Sequence, residues 1–389
     1  MRIGIDARTI LNPEKGEGAG IGHYTYQLIR HLLKIDKKND YFLFFDKTVQ
    51  NRRLAKFKQE NVRVGFFPFI QYAKFLPGGY WHFLASAFLT RHRLDVFHSP
   101  TLNLPQSYRA PTVVTAHDLT VYKFPELYNT KKQRTILKST IPQAIKMAKK
   151  IIAVSYSTKK DLGEIFGVES EKVRVIYHGV DERFFRKSDS ATIEKIKMKF
   201  GIKNDYLLFL GTLESRKNIF RIIEAYERLR DKISSLEHPI ANIQLVLAGA
   251  PGFNFKKIDE KISHSKYKED IILPGYIEAD DLDPLFEGAK VFVFPTLYEG
   301  FGLPVIEAMA NGVPVITSNI SSLPEIAEER AILVDPLNVA EISQAMFDLL
   351  TRQDLWQKLS QLGKEKAKEF DWQKTAAKTL EVYKEATEI

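Results

Sequence analysis

Short runs of β-branched and aromatic residues alternate with longer stretches whose apolar positions recur at helical spacing, from the first residues onward. That alternation predicts an α/β chain in which a parallel sheet is covered by helices. In the first half it predicts strands at 3–6, 41–45, 62–66, 95–98, 112–116, 151–154 and 173–176. The second half repeats the plan, with strands at 206–210, 244–248, 271–273, 291–294, 315–317 and 331–334. Between the halves, 181–205 is charged, and its helix-like part at 191–199 has little apolar surface to bury, which marks the expected boundary. The expected division is therefore a doubly wound domain at 1–185 and a second one at 200–370. The helical pattern at 371–389 is expected to pack back on the first. Ligands on such sheets bind beyond the carboxyl ends of the strands, so two of them imply a central cleft.

Length and composition agree with that plan, since 389 residues suit two cores and 44% apolar with 27% charged residues is a globular balance. No low-complexity tract or internal repeat interrupts it. Cysteine is absent, which excludes disulfides, thiolate nucleophiles and cysteine-ligated metals together. The opening Arg2-Ile3-Gly4-Ile5-Asp6 reads as a buried strand rather than a secretion signal. No stretch reaches the roughly 18 to 20 uninterrupted apolar residues of a membrane span. The expectation is a cytoplasmic protein, free or peripheral on the inner face of a membrane.

Charge changes the picture more than composition does. Residues 1–190 hold 32 of the 57 Lys and Arg and 17 of the 48 Asp and Glu, a balance of +15, so that 191–389 carry −6 of the net +9. Most of the excess lies at 51–150, which points to an anionic partner for the first half. Aromatics at 66–72 and 80–89, with Arg91 and Arg93, could dock on anionic lipid or could equally form a core helix.

Four motifs carry chemistry. The most specific is Pro295-Thr-Leu-Tyr-Glu299-Gly300-Phe301-Gly302-Leu303-Pro304-Val-Ile-Glu307, directly after a strand. Its glycines permit tight turns, and a helix starting near Leu303 or Pro304 offers amides and a positive dipole end to a phosphate. Glu299 then sits on the loop rim and Glu307 on the helix, at opposite ends of a nucleotide-sugar-sized space. A lone pair of this kind would read as a solvated loop acid and a helix cap, and the surrounding glycines tip the reading to function. The second motif is Phe209-Leu-Gly211-Thr212-Leu-Glu-Ser-Arg216-Lys217-Asn218. Two cations at a helix N-terminus are unfavourable unless an anion joins them, which suits a diphosphate.

The third motif, Gly16-Glu-Gly18-Ala-Gly20-Ile21-Gly22, lets backbone approach a ligand before a helix that begins near His23, and its spacing matches neither a dinucleotide fingerprint nor a P-loop. The fourth is Val113-Val-Thr-Ala-His117-Asp118, a histidine at the carboxyl end of a buried strand, with Asp118 expected to orient its ring. Asp281-Leu-Asp283 is followed by Pro284 and reads as a helix N-cap and first turn rather than a metal site. His178-Gly179-Val180-Asp181 reads as a structural chain reversal.

The segment from Glu299 to Glu307 resembles the Glu-x7-Glu signature of the retaining, family-four glycosyltransferases of the GT-B fold, and the arrangement around His117 and 212–218 is most similar to mannosyl-transferring members. The resemblance implies two Rossmann-like domains facing a cleft, a nucleotide-sugar donor, a glycan or lipid-linked acceptor, and neither metal nor other cofactor. It places Glu299 by the transferred sugar and Glu307 on the ribose hydroxyls. Amides of Phe301, Gly302 and Leu303 would meet sugar hydroxyls and phosphate, Gly20 and Ile21 the donor phosphate and acceptor, His117 the donor sugar, and the loop of Gly275 and Tyr276 the base. Many members carry Arg where this chain has Thr212, which shifts the neutralising burden to Arg216 and Lys217. GDP-mannose is the preferred donor, with UDP-sugars open. A nucleotide-sugar epimerase is the near alternative. A nucleic-acid-binding module using the basic half is the distant one, and it leaves Glu299, Glu307 and Lys217 without a role, so no nucleic acid is expected.

Overall fold

The computed structural model describes residues 1–11, 20–49, 51–67, 78–127, 131–234 and 239–388. It divides into two compact units, one of Met1–Gly179 with Trp372–Ile389 and one of Val180–Asp371. The first holds strands β1 (Arg2–Asp6), β2 (Asp40–Phe45), β3 (Val62–Phe66), β4 (Val96–Ser99), β5 (Thr112–Ala116), β6 (Lys150–Ala153) and β7 (Val173–Val175). They form one sheet in the order β3-β2-β1-β4-β5-β6-β7, every neighbouring pair parallel. The second holds β8 (Tyr206–Leu210), β9 (Gln244–Ala248), β10 (Ile271–Gly275), β11 (Val291–Phe294), β12 (Val315–Ser318) and β13 (Ile332–Val334), parallel in the order β10-β9-β8-β11-β12-β13. Each is a doubly wound Rossmann-like sheet whose order reverses once, beside β1 and beside β8.

Burial on both faces explains why these strands read as continuous apolar runs rather than alternating ones. In the first unit one face packs Ile5, Leu43 and Phe45 against Leu28 and Leu32 of the helix Gly20–Ile35. The other packs Phe44, Phe97 and Ile151 against Leu89, Ile145 and Leu162. The helix Trp372–Thr387 belongs to the first face, where it packs along Gly20–Ile35 and buries Trp372, Val382 and Tyr383, each worth about 2 kcal/mol of transfer free energy. Gly179 fits this helix closely, because a Cβ there would lie 2.2 Å from the Trp372 backbone nitrogen.

The linker expected at 181–205 is part of the second unit. Asp189 caps the helix Ser190–Phe200 by accepting from Thr192 N at 2.7 Å, and Gly201 closes it at φ 71. Ile196 is its buried anchor, and polar bonds complete the attachment to the helix Ala279–Glu287: Lys199 Nζ lies 2.5 Å from Asp281, and Ser188 N donates to Glu287 at 2.7 Å. In place of the expected limits of 185 and 200, the chain passes to the second unit at 179/180 and returns to the first at 371/372. Low apolar content concealed the attachment, because charge pairs and a cap hold this helix.

Candidate active site

β8 and β11 are adjacent strands that flank the order reversal of the second sheet, so the loops leaving their carboxyl ends diverge and enclose a crevice. The Arg216-Lys217 loop leaves β8 and the Glu299 loop leaves β11. The two are stitched together by backbone and side chain: Leu297 N donates to Arg216 O at 3.0 Å, and Asn218 Nδ2 donates to Pro295 O at 2.8 Å and Pro336 O at 2.6 Å. Asn218 reaches both carbonyls because it takes φ 63, a left-handed geometry asparagine tolerates, at the start of the helix Ile219–Ile233.

This stitching brings three of the expected residues into direct contact. Lys217 Nζ donates to Glu299 Oε1 at 2.6 Å, and Arg216 Nη1 donates to the same oxygen at 3.2 Å and to Tyr298 O at 2.8 Å. Arg216 also holds Glu214 Oε1 through Nε and Nη2, at 3.1 and 2.8 Å. Glu299 and Lys217 are each only 9% exposed. Burial pushes the Glu299 carboxyl up, but Lys217 and then Arg216 outweigh it and hold it below the usual carboxylate range. Burial pulls the Lys217 ammonium down, and Glu299 opposes that. The anions that make two cations tolerable at this helix N-terminus are thus the protein's own carboxylates.

Glycines shape the rim. Gly302 takes φ 106 at the N-terminus of the helix Leu303–Ala310, so the conformation demands glycine, and a Cβ there would also have to displace Leu323 Cδ2, 2.7 Å away. Gly211 approaches the end of β9 so nearly that a Cβ on Gly249 would lie 1.9 Å from Gly211 O. Thr212 is exposed beside it, and Tyr276, after β10, is 55% exposed. Glu307 is half-buried on the helix, and burial pushes its carboxyl up to about 7, with Arg183 opposing and Asp283 and Asp181 adding to the rise.

Two known domains match the sequence in turn: Glycosyltransferase Family 4 over residues 18–184, and Glycosyl transferases group 1 over 192–368, which contains Arg216, Lys217, Glu299 and Glu307. The chain belongs to the family-four glycosyltransferases. It is 27% identical to the O-antigen chain mannosyltransferase B of Escherichia coli over 96% of this chain and 97% of that one. The fold is that of the GT-B enzymes. A HepE structure from Anabaena, solved with UDP and glucose, aligns with TM-score 0.73 and 18% identity over 98% and 99% of the two chains. Sucrose-phosphate synthase from Thermosynechococcus elongatus aligns with TM-score 0.76 and 19% identity over 99% and 98%.

In the glycosyltransferase the remaining expected residues lie in the first unit. His117 follows β5, half-buried, and its Nε2 donates to Pro100 O at 2.9 Å, just beyond β4. That bond fixes the tautomer with Nδ1 as acceptor, and burial pulls the imidazole down to about 4. The rings of Tyr24 and His117 pack nearly perpendicular, with their centroids 4.7 Å apart. Asp118 does not orient the ring as expected; its Oδ1 instead accepts from Thr120 N at 2.9 Å, closing a turn ahead of a short helix. Gly20, at φ 67, starts the helix three residues earlier than expected, with Ile21 exposed beside it; the earlier glycines, Gly16 and Gly18, lie outside the described residues. His178 stacks on Trp372 at 5.7 Å, in keeping with a structural turn.

Asp281 and Asp283 serve as charge partners: Asp281 pairs with Lys199, and Asp283 lies 3.7 Å from Arg183. The helix they were expected to cap begins earlier, with Glu278 at its N-cap position. Among the described residues no helix is long and apolar enough to cross a membrane. Sequence reasoning missed Glu214, which shares Arg216, and Arg183, whose charge acts on Glu307 from outside any recognised motif. Glu214 lay inside the quoted motif, so its place two residues before Arg216 was the available signal.

Proposed function

We propose that this glycosyltransferase transfers mannose from GDP-mannose, with retention and without a metal, to a glycan or lipid-linked acceptor. The observation that carries the reading is the Arg216–Lys217–Glu299 cluster at the order reversal of the second sheet. Two cations beside a helix N-terminus, Lys217 buried and Arg216 half-buried, can take up the charge that develops on a departing diphosphate, the task a metal would otherwise perform. Arg216 and Lys217 would exchange part of their hold on Glu299 for that phosphate. Glu299 would then lie beside the positively charged sugar carbon. Glu307, poised near neutrality, would bond the ribose hydroxyls, and Tyr276 would border the base. His117 Nδ1 would accept from a sugar hydroxyl, while Gly20 and Ile21 line the acceptor side.

In the step itself the bond from the anomeric carbon to the phosphate oxygen breaks as the acceptor oxygen bonds from the same face, and the acceptor proton leaves with the diphosphate. No protein nucleophile is required. The mannosyl donor rests on the E. coli relative, and UDP-glucose is a second reading because HepE was solved with UDP and glucose. A nucleotide-sugar panel read by thermal shift, followed by the stereochemistry of the product, tests both; an inverted product or a strict need for a divalent cation would refute the mechanism. Release of GDP only in the presence of acceptor would separate transfer from epimerisation.

Membrane attachment is part of the proposal. Phe83 is 63% exposed on the helix Gly78–Thr90, which runs into Arg91 and Arg93; the aromatics at 68–72 lie outside the described residues. Co-sedimentation with anionic but not neutral vesicles is expected, and no binding at low salt would end the idea.

A further inference from the structure

Glu299 rides on a glycine-rich loop, yet its backbone is held on both sides. The end of β12 and the residues after it read Thr317-Ser318-Asn319-Ile320-Ser321-Ser322, four hydroxyls in six residues. All four point at one target, the segment that leaves β11. Thr317 Oγ1 donates to Phe294 O at 3.0 Å and Ser318 Oγ to Thr296 O at 2.5 Å. Ser322 Oγ lies 3.0 Å from Glu299 O and 2.9 Å from Phe301 O, so one proton is shared between two carbonyls. Ser321 Oγ accepts from Glu299 N at 2.9 Å and donates to Glu299 O. Thr317, Ser318 and Ser322 are fully buried, where such bonds are not traded for water.

Ser321 makes both bonds from φ 64, a left-handed conformation that serine seldom adopts. A glycine would sit there without strain, so the hydroxyl is kept at a conformational cost. Strain retained in this way beside a reactive group is a reason to look for a role.

We propose that Ser321 and Ser322 are positioning residues that clamp the backbone of Glu299 and so aim its carboxylate at Lys217 and the donor sugar. The catalytic half of this statement rests on the function proposed above; the clamp itself does not. Ser321→Gly separates clamp from fold, because it removes the hydroxyl while relieving the backbone. The expected result is an unchanged or higher Tm together with faster amide exchange of peptides covering 295–303, read by mass spectrometry. With GDP-mannose as donor, kcat should fall about tenfold to a hundredfold while KM hardly moves, since a small displacement of a reacting group acts mainly on the chemical step. Ser322→Ala should act in the same direction.

Unchanged exchange in Ser321→Gly would overturn the clamp. Faster exchange with full kcat would overturn its catalytic consequence, provided that Glu299→Gln, assayed alongside, is impaired. An active Glu299→Gln would instead refute the function assigned to the site and leave the exchange measurement to judge the clamp.

Discussion

Replacing Glu299 by glutamine keeps the shape of the side chain and removes its charge from a group of four. Arg216 and Lys217 are balanced by Glu214 and Glu299, so the substitution leaves one uncompensated positive charge. At an effective dielectric constant near 20, the contacts of 2.6 and 3.2 Å correspond to gross attractions of about 6 and 5 kcal/mol. Most of that repays the desolvation of buried Glu299 and Lys217 and of half-buried Arg216, and a net loss of about 2 kcal/mol is expected for hydrogen bonds to charged partners. For a unit of this size that lowers Tm by roughly 4–8 °C. Binding of GDP should hold or tighten, because the diphosphate then meets two cations with one rival fewer. Turnover should fall on the order of a hundred- to a thousandfold, the cost of losing a charge placed for the transition state. Isothermal titration with GDP beside a GDP-release assay distinguishes the outcomes. Full turnover would refute the assignment, and so would a loss of GDP binding in step with turnover, since that would make Glu299 a structural counter-ion only.

Three further outcomes follow from the same geometry. Lys217→Met should weaken GDP binding at least about tenfold, the worth of one charge-assisted contact, and titration with GDP checks it. His98 is buried between Tyr383 and Thr115, and burial pulls its imidazole to about 3, while that of His117 lies at about 4. Both lie below the unfolded value of about 6.5, so the unfolded chain takes up protons first; their stabilisation is complete above about pH 6.5 and is lost as pH falls toward 4 and then 3. Tm should therefore drop across that window, and more shallowly in His98→Gln. Gly179→Ala should cost a few kcal/mol by driving a methyl group into the Trp372 backbone, with proteolysis of the helix Trp372–Thr387 as the readout.

The strands were legible because both faces of each sheet are covered, which writes them as apolar runs; those of the structure lie within two residues of the predicted bounds. Gly300, Gly302 and Pro304 gave the Glu299 loop away, since few arrangements need those residues in that order. Polar attachment was harder to read. The helix Ser190–Phe200 carries one buried apolar anchor and is otherwise held by a cap and charge pairs, so its allegiance to the second unit left little trace in hydropathy. Bonds to carbonyls leave none: nothing in the sequence distinguishes Pro100 from Asp118 as the partner of His117, or marks Ser321 as facing Glu299. Such partners are fixed by which strands lie side by side, not by spacing along the chain.

The helix Trp372–Thr387 follows the second unit along the chain and completes the core that holds β1. On a ribosome the residues that form the second unit emerge before that helix does, while the opening sheet waits with one flank uncovered. Synthesis therefore finishes the later unit first, and a premature stop near residue 370 would release a chain whose earliest-made half exposes the apolar groove meant for Trp372, Val382 and Tyr383, a form that quality-control chaperones would be expected to retain.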